Sequence, residues 1–200
     1  MEKNYTQRIL EIIGKAGVVR PRDLRAHGIP RQYLYRLCDR GLVRRIGRGL
    51  YVVPGAETTE HHTLAEAGKR VPHGVVCLLS ALWFHGLTTQ SPFEVWLATG
   101  RKARRPRVDY PPIRFVRFSS LTLEAGVEQH QVEGVAVRVF CPAKTVADCF
   151  KYRNKIGLDV AIEALVDCRN QRKCTNDELV HYAEICRVAN VMRPYMEAVA

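Results

Sequence analysis

The sequence predicts an α+β chain in two parts. Three short helices and a basic two-stranded hairpin come first, and a larger module of helices around a small, mainly antiparallel sheet follows. Three observations carry this expectation. Before residue 41, apolar residues recur at helical spacing in three blocks punctuated by proline and glycine. The β-prone runs "LVRRI" and "LYVV" flank Gly47-Arg48-Gly49, a turn signal. Beyond residue 60, strand-like and helix-like segments alternate without an internal repeat, as in mixed α+β modules. The expected boundaries are residues 1–55 and 60–200, joined by the polar connector "VPGAETTE".

The elements follow in order. Ile9, Ile12 and Ile13, with Tyr5 one turn earlier, predict a first helix ending near "GKAG". In "VVRPRDLRAHG", Pro21 suits a first helical position, Asp23 the positive end of the helix dipole and Gly28 a C-terminal cap. Pro30 then opens a third helix that runs to about Arg40 and is capped by Gly41. Projected at 100° per residue, Tyr33, Leu34, Leu37 and Cys38 share one side of it, leaving Arg, Gln and Tyr outside. Those side chains suit a DNA major groove, where Arg pairs with guanine and Gln with adenine. Groove contacts lie near the N-terminal end of such a helix, which selects Arg31, Gln32, Tyr35 and Arg36.

The hairpin adds Arg44 and Arg45 on its first strand and Arg48 at its tip. Three helices followed by a basic hairpin is the order of a winged helix-turn-helix, in which the hairpin touches the phosphate backbone or minor groove beside the recognition helix. The charge agrees. Of the net +11, residues 1–55 hold twelve basic and four acidic groups, net +8, and the other 145 residues only +3. A polyanion, here double-stranded DNA, is the expected partner.

In the second part, "VVCLLSALWFHG" is apolar on nearly every side and predicts a buried central helix. "FEVWLA" and "IRFVRFS" predict strands, and "VEQHQV" and "VAVRVF" flank Glu133-Gly134 as a two-residue hairpin. Pro142 starts a helix anchored by Val146, Ala147 and Phe150. Lys144 and Asp148, four apart, are expected to pair, and with Lys151 and Arg153 to form a charged outer face available to a partner. Another helix covers about Leu158 to Arg172. Thr175 and Glu178 form a capping-box signature for a last long helix that Pro194 breaks. "RKARRPR" places Arg101, Lys102, Arg104, Arg105 and Arg107 in seven residues, a second basic surface. A solvated loop, DNA backbone contact, RNA contact and an acidic partner are all consistent with it.

Several classes are disfavoured. The longest apolar run, Val75 to Leu79, is far too short to span a bilayer, and the start "MEKNYTQRIL" has no secretory-signal pattern, so a cytoplasmic location is expected. Seven cysteines without a C-x-x-C pair suggest reduced, packed thiols rather than a zinc site. Glu60-His61-His62 has no third metal ligand at helical spacing. His27 and His85 each precede a glycine at a helix end, where the dipole favours them. No acids converge as a metal-dependent nuclease requires, and the only Gly-rich tract lacks a phosphate-loop pattern. No catalytic residue, metal or cofactor is expected. The alternative is a nucleic-acid enzyme, nuclease or nucleotidyltransferase-like, targeted by the winged helix.

"GIPRQYLYRLCDRGLVRRIGRGLYVVPG" resembles the N-terminal winged-helix segment of the AbiEi family of type IV antitoxins, most closely in its G-R-G-x-Y turn. "TEHHTLAEAGKRVPHGVVCLLSALWFHGLTTQSPFEVWLA" and "VFCPAKTVADCFKYRNKIGLDVAIEAL" resemble the family's larger C-terminal part. The resemblance implies an antitoxin and transcriptional autorepressor encoded beside a nucleotidyltransferase-type toxin. It implies binding to operator DNA, with cooperative binding or a dimer on inverted repeats. Toxin neutralisation in type IV systems does not require direct contact.

Overall fold

A computed structural model describes residues 2–47, 49–54 and 59–199. In chain order the elements are α1 (Glu2–Ala16), α2 (Pro21–Arg25), α3 (Arg31–Asp39), β1 (Arg44–Gly47), β2 (Leu50–Val52) and α4 (His62–Arg70). Then come β3 (Val75–Val76), α5 (Leu78–Phe84), β4 (Val95–Gly100), β5 (Ile113–Phe118), α6 (Ser120–Glu124), β6 (Val127–Val132) and β7 (Val135–Phe140). The chain closes with α7 (Pro142–Lys151), α8 (Arg153–Ile156), α9 (Leu158–Asn170), α10 (Asn176–Cys186) and α11 (Ala189–Ala198). Two compact units result. One comprises residues 1–70 with Gln131–Ala136, the other Val71–His130 with Val137–Ala200.

The first unit buries Ile9, Ile13, Leu24, Leu34 and Leu37 against Val19, Val43 and Tyr51, so the first three helices and the hairpin share one core. α4 is fastened to it by polar contacts. The Arg20 guanidinium donates to the Lys69 carbonyl, and Lys69 Nζ stands 2.7 Å from Asp23. Asp23 also accepts the Arg20 backbone N–H at 2.9 Å. Burial alone would raise the Asp23 carboxyl, but Lys69 and the Arg20 N–H outweigh it and hold it below its ordinary value.

Residues 131–136 complete this unit. They carry the expected turn, in which Glu133 and Gly134 are both left-handed, φ 49° and 72°, as a two-residue hairpin requires. The Glu133 carboxylate accepts the Thr59 N–H at 2.6 Å and the Thr59 hydroxyl at 3.0 Å, and lies 2.6 Å from His62 Nδ1. The other ring nitrogen of His62 faces Glu66 at 3.7 Å. Burial pushes both carboxyls up. For Glu66 that effect wins, whereas at Glu133 the bonds from His62 and Thr59 reverse it and leave the carboxyl below its ordinary value.

In the second unit the sheet runs β5-β4-β3-β7-β6. It is mixed: β3 is antiparallel to β4 but parallel to β7, and β4 is parallel to β5. The tight Glu133-Gly134 turn brings β6 and β7 side by side, while the longer connection 101–112 lets β5 return parallel to β4. α7 is the central helix, with Ala143 through Phe150 all buried, and α5, α9, α10 and α11 pack on it.

Two expectations need correction here. "VVCLLSALWFHG" is not one helix but strand β3 followed by the short helix α5. Val75 and Val76 are β-branched and pair on both sides, and periodicity alone does not separate a fully buried strand from a buried helix. The capping box holds, with Thr175 accepting the Glu178 N–H at 3.2 Å and Glu178 accepting the Thr175 N–H at 2.8 Å. The break that follows, however, is at Arg187, left-handed at φ 59°, while Pro194 lies inside α11. Cys168 and Cys174 stand side by side across the turn after α9, their Cα atoms 5.9 Å apart. Among the described residues, no helix is long and apolar enough to cross a membrane.

Candidate nucleic-acid interface

Pro30 precedes α3 with φ −66° and ψ 138°, an extended residue that starts the helix sharply after Ile29. Leu34 and Leu37 turn inward and are buried. Arg31, Gln32, Tyr35, Arg36, Asp39 and Arg40 are exposed, the face expected from the projection. The Arg36 guanidinium lies 5.5 Å from the centroid of the Tyr33 ring, which itself stacks at 4.8 Å on Tyr5.

The hairpin stands beside this face. β1 and β2 pair antiparallel, Arg44 opposite Val52 and Arg45 opposite Tyr51, with a bulge between Arg45 and Gly47. Reciprocal hydrogen bonds of 3.0 Å between Val19 and Tyr51 tie β2 to the chain before α2. Tyr51 is buried beneath Tyr35, their rings 6.3 Å apart. Burial raises the Tyr51 phenol, and its neighbours Tyr35 and Cys38 add to the rise. Arg44 and Arg45 are exposed, and Arg45 Nε donates to the Gly47 carbonyl at 3.1 Å. Arg48, expected at the tip, lies outside the described residues. Gly49 is left-handed at φ 70°, whereas Gly47 is not, and a Cβ at Gly47 would meet only the outer end of the Arg70 side chain.

The face extends further than sequence reasoning placed it. Arg22 and Arg25 on α2 line a concavity of about 480 Å³ together with Arg31, Ile29, Pro30 and Pro21. The signal was present in "PRDLR": with Leu24 inward, Arg22 and Arg25 at i and i+3 share the outer side. The acid between them, Asp23, is held by Lys69 and the Arg20 N–H, which offsets its charge beside these arginines.

In the second unit the structure separates the expected charged face of α7. Lys144 and Asp148 are 0% exposed and lie in the core. Lys144 Nζ donates to Asp148 at 2.5 Å and lies 4.1 Å from the centroid of the Phe140 ring. The Cys186 thiol donates to the other Asp148 oxygen at 3.2 Å. Burial raises the Asp148 carboxyl even though Lys144 pulls the other way, and burial with Asp148 alongside pushes the Cys186 thiol up to about 12. Both groups face inward because α5, α9, α10 and α11 surround α7, so neither is open to a partner. Lys151 is exposed at the end of α7, while Arg153 opens α8, half-buried, and donates to the Phe150 carbonyl at 2.9 Å. Residues 101–107 are exposed throughout.

Comparison with known proteins gives likenesses in fold and in sequence. The crystal structure of the RV2827C protein from Mycobacterium tuberculosis superposes with a TM-score of 0.59 at 12% identity, over 97% of this chain and 81% of that one. It shares the fold. No curated protein sequence matches the chain. Residues 7–54, which carry α1 to α3 and the hairpin, match the family of AbiEi antitoxin transcriptional regulators, and over this segment the resemblance read from the sequence holds.

Proposed function

We propose that the chain is an antitoxin and autorepressor of a type IV toxin–antitoxin system, acting in the cytoplasm without catalysis of its own. Residues 1–55 work as a winged helix-turn-helix. Arg31, Gln32, Tyr35 and Arg36 contact base edges of the operator, while Arg44, Arg45 and Arg48, joined by Arg22 and Arg25, hold its phosphates. The observation that carries the reading is the exposed Arg-Gln-Tyr-Arg face of α3 beside a basic hairpin, inside the segment that matches the antitoxin regulators. Residues 60–200 counteract a nucleotidyltransferase-type toxin. With Lys144 and Asp148 buried, the part of the earlier charged face still available is Lys151 and Arg153.

The test separates the two roles in cells carrying a promoter reporter and the neighbouring toxin gene. Gln32→Ala with Arg36→Ala should relieve repression while the protein, supplied from a foreign promoter, still protects. Lys151→Glu with Arg153→Glu should do the reverse. Repression by the first variant at the wild-type level would remove α3 from DNA reading.

A further inference from the structure

The second unit carries a concentrated charge that neither operator reading nor the α7 face uses. Residues 101–118 hold seven basic groups and one acid, Asp109, net +6. The rest of that unit holds ten basic and eleven acidic groups, net −1. Five of the seven, Arg101, Lys102, Arg104, Arg105 and Arg107, lie exposed on the connection after β4, whereas on β5 Arg114 is paired with Glu94 at 2.7 Å and Arg117 donates to the Gly100 carbonyl at 2.7 Å.

The topology draws this charge into a line. β4 and β5 run parallel and in register, Val95 beside Ile113 and Gly100 beside Phe118. The chain leaves β4 at one end of the pair and must start β5 at the other, so residues 101–112 retrace six residues of strand, about 20 Å. The path begins with a turn in which the Ala103 N–H bonds the Gly100 carbonyl at 3.0 Å. It ends where the Val95 N–H meets the Pro112 carbonyl at 2.8 Å. Two exposed aromatic rings sit at that far end, Phe93 two residues before β4 and Tyr110 three before β5. They are 85% and 51% exposed.

We infer that this track binds single-stranded nucleic acid, the arginines following the phosphates and Phe93 and Tyr110 stacking on unpaired bases. Charge alone suits any polyanion. The rings decide between them, because a duplex keeps its base faces closed, and a positive track with open aromatic faces matches a strand whose bases are free. RNA and single-stranded DNA share the phosphate charge and the open base faces and differ in the 2′-hydroxyl.

Fluorescence anisotropy of the full-length protein tests this, with labelled 20-nucleotide oligo(U) and oligo(dT), a random 20-bp duplex and polyglutamate as probes. Wild type should bind the single strands, and Gln32→Ala with Arg36→Ala should leave that binding unchanged. Arg104→Glu, Arg105→Glu and Arg107→Glu together should weaken it at least about tenfold and lower its salt slope by about two. Phe93→Ala with Tyr110→Ala should weaken it about five- to a hundredfold for each stacked base lost, with duplex affinity unchanged. A preference for oligo(U) or oligo(dT) would identify the natural strand. The inference is overturned if wild type binds neither oligomer, or if the ring variant binds them normally. It is equally overturned if single-strand binding vanishes with the α3 variant, or if polyglutamate binds through the arginines better than either oligomer, which would assign the track to an acidic protein.

Discussion

α3 and α7 are alike on paper. Each is about ten residues long, each starts at a proline, and each carries charges among its apolar residues. They place those charges in opposite ways. α3 is packed from one side, so Arg31, Gln32, Tyr35 and Arg36 remain exposed to water. α7 is enclosed by four helices, so Lys144 and Asp148 satisfy each other inside the core. The difference shows that a charged helical residue acquires its role from how many elements surround the helix, not from its position on a helical wheel.

The largest expected effect attacks the enclosed pair. Asp148→Ala strands a buried ammonium and should destabilise the protein by about 3–5 kcal/mol, while Lys144→Met with Asp148→Leu should be near neutral or stabilising. Urea titration of the three proteins measures this. Equal losses in both variants would mean that Lys144 and Asp148 are not each other's main partners in the core.

On the exposed helix the effects are smaller and appear in DNA binding instead. Gln32→Ala should lower the ratio of operator to random-DNA affinity by about 1–3 kcal/mol, the worth of a good base contact. Arg22→Ala with Arg25→Ala should weaken both DNAs alike and reduce the salt slope by about two. If the α2 variant instead changed the ratio, those arginines would be reading sequence rather than phosphates.

The smallest effect concerns pH. Glu133 is held below its ordinary value, so its contribution to stability is present above the unfolded carboxylate value and is lost as pH falls through the lower folded one. Glu133→Gln should therefore be less stable than wild type at neutral pH, and the gap should close on acidification. Thermal melts from pH 7 down to pH 3 would show this, and a gap that widens at low pH would contradict it.

Much of the first unit was legible because its signals are local. Pro21, Gly28, Pro30 and Gly41 mark the helix ends, and the stripe of Leu34 and Leu37 sets the exposed face of α3. The spacing of Arg22 and Arg25 on α2 shows that they share an outer side, but that this side joins Arg31 in one concavity depends on how α2 and α3 meet, which neither helix displays alone. The burial of Lys144 was illegible for a related reason: the helices that cover it come from residues as far away as α5 and α11. β3 was missed because Val75 and Val76 become a strand only through partners more than twenty and sixty residues downstream.

The Glu133-Gly134 turn has a further consequence. Gly17 and Gly134 each let backbone approach where a side chain would collide, Gly17 with the Glu133 carbonyl and Gly134 with that of Lys15. The first unit is thus closed by six residues that the ribosome makes more than sixty residues after Arg70. During synthesis its helices emerge long before their last contact exists, so it reaches its finished form only when most of the chain is out. Inheritance is constrained in the same way: a recombination event that exchanged residues 1–70 alone would carry away α1 to α4 and leave their closing turn behind.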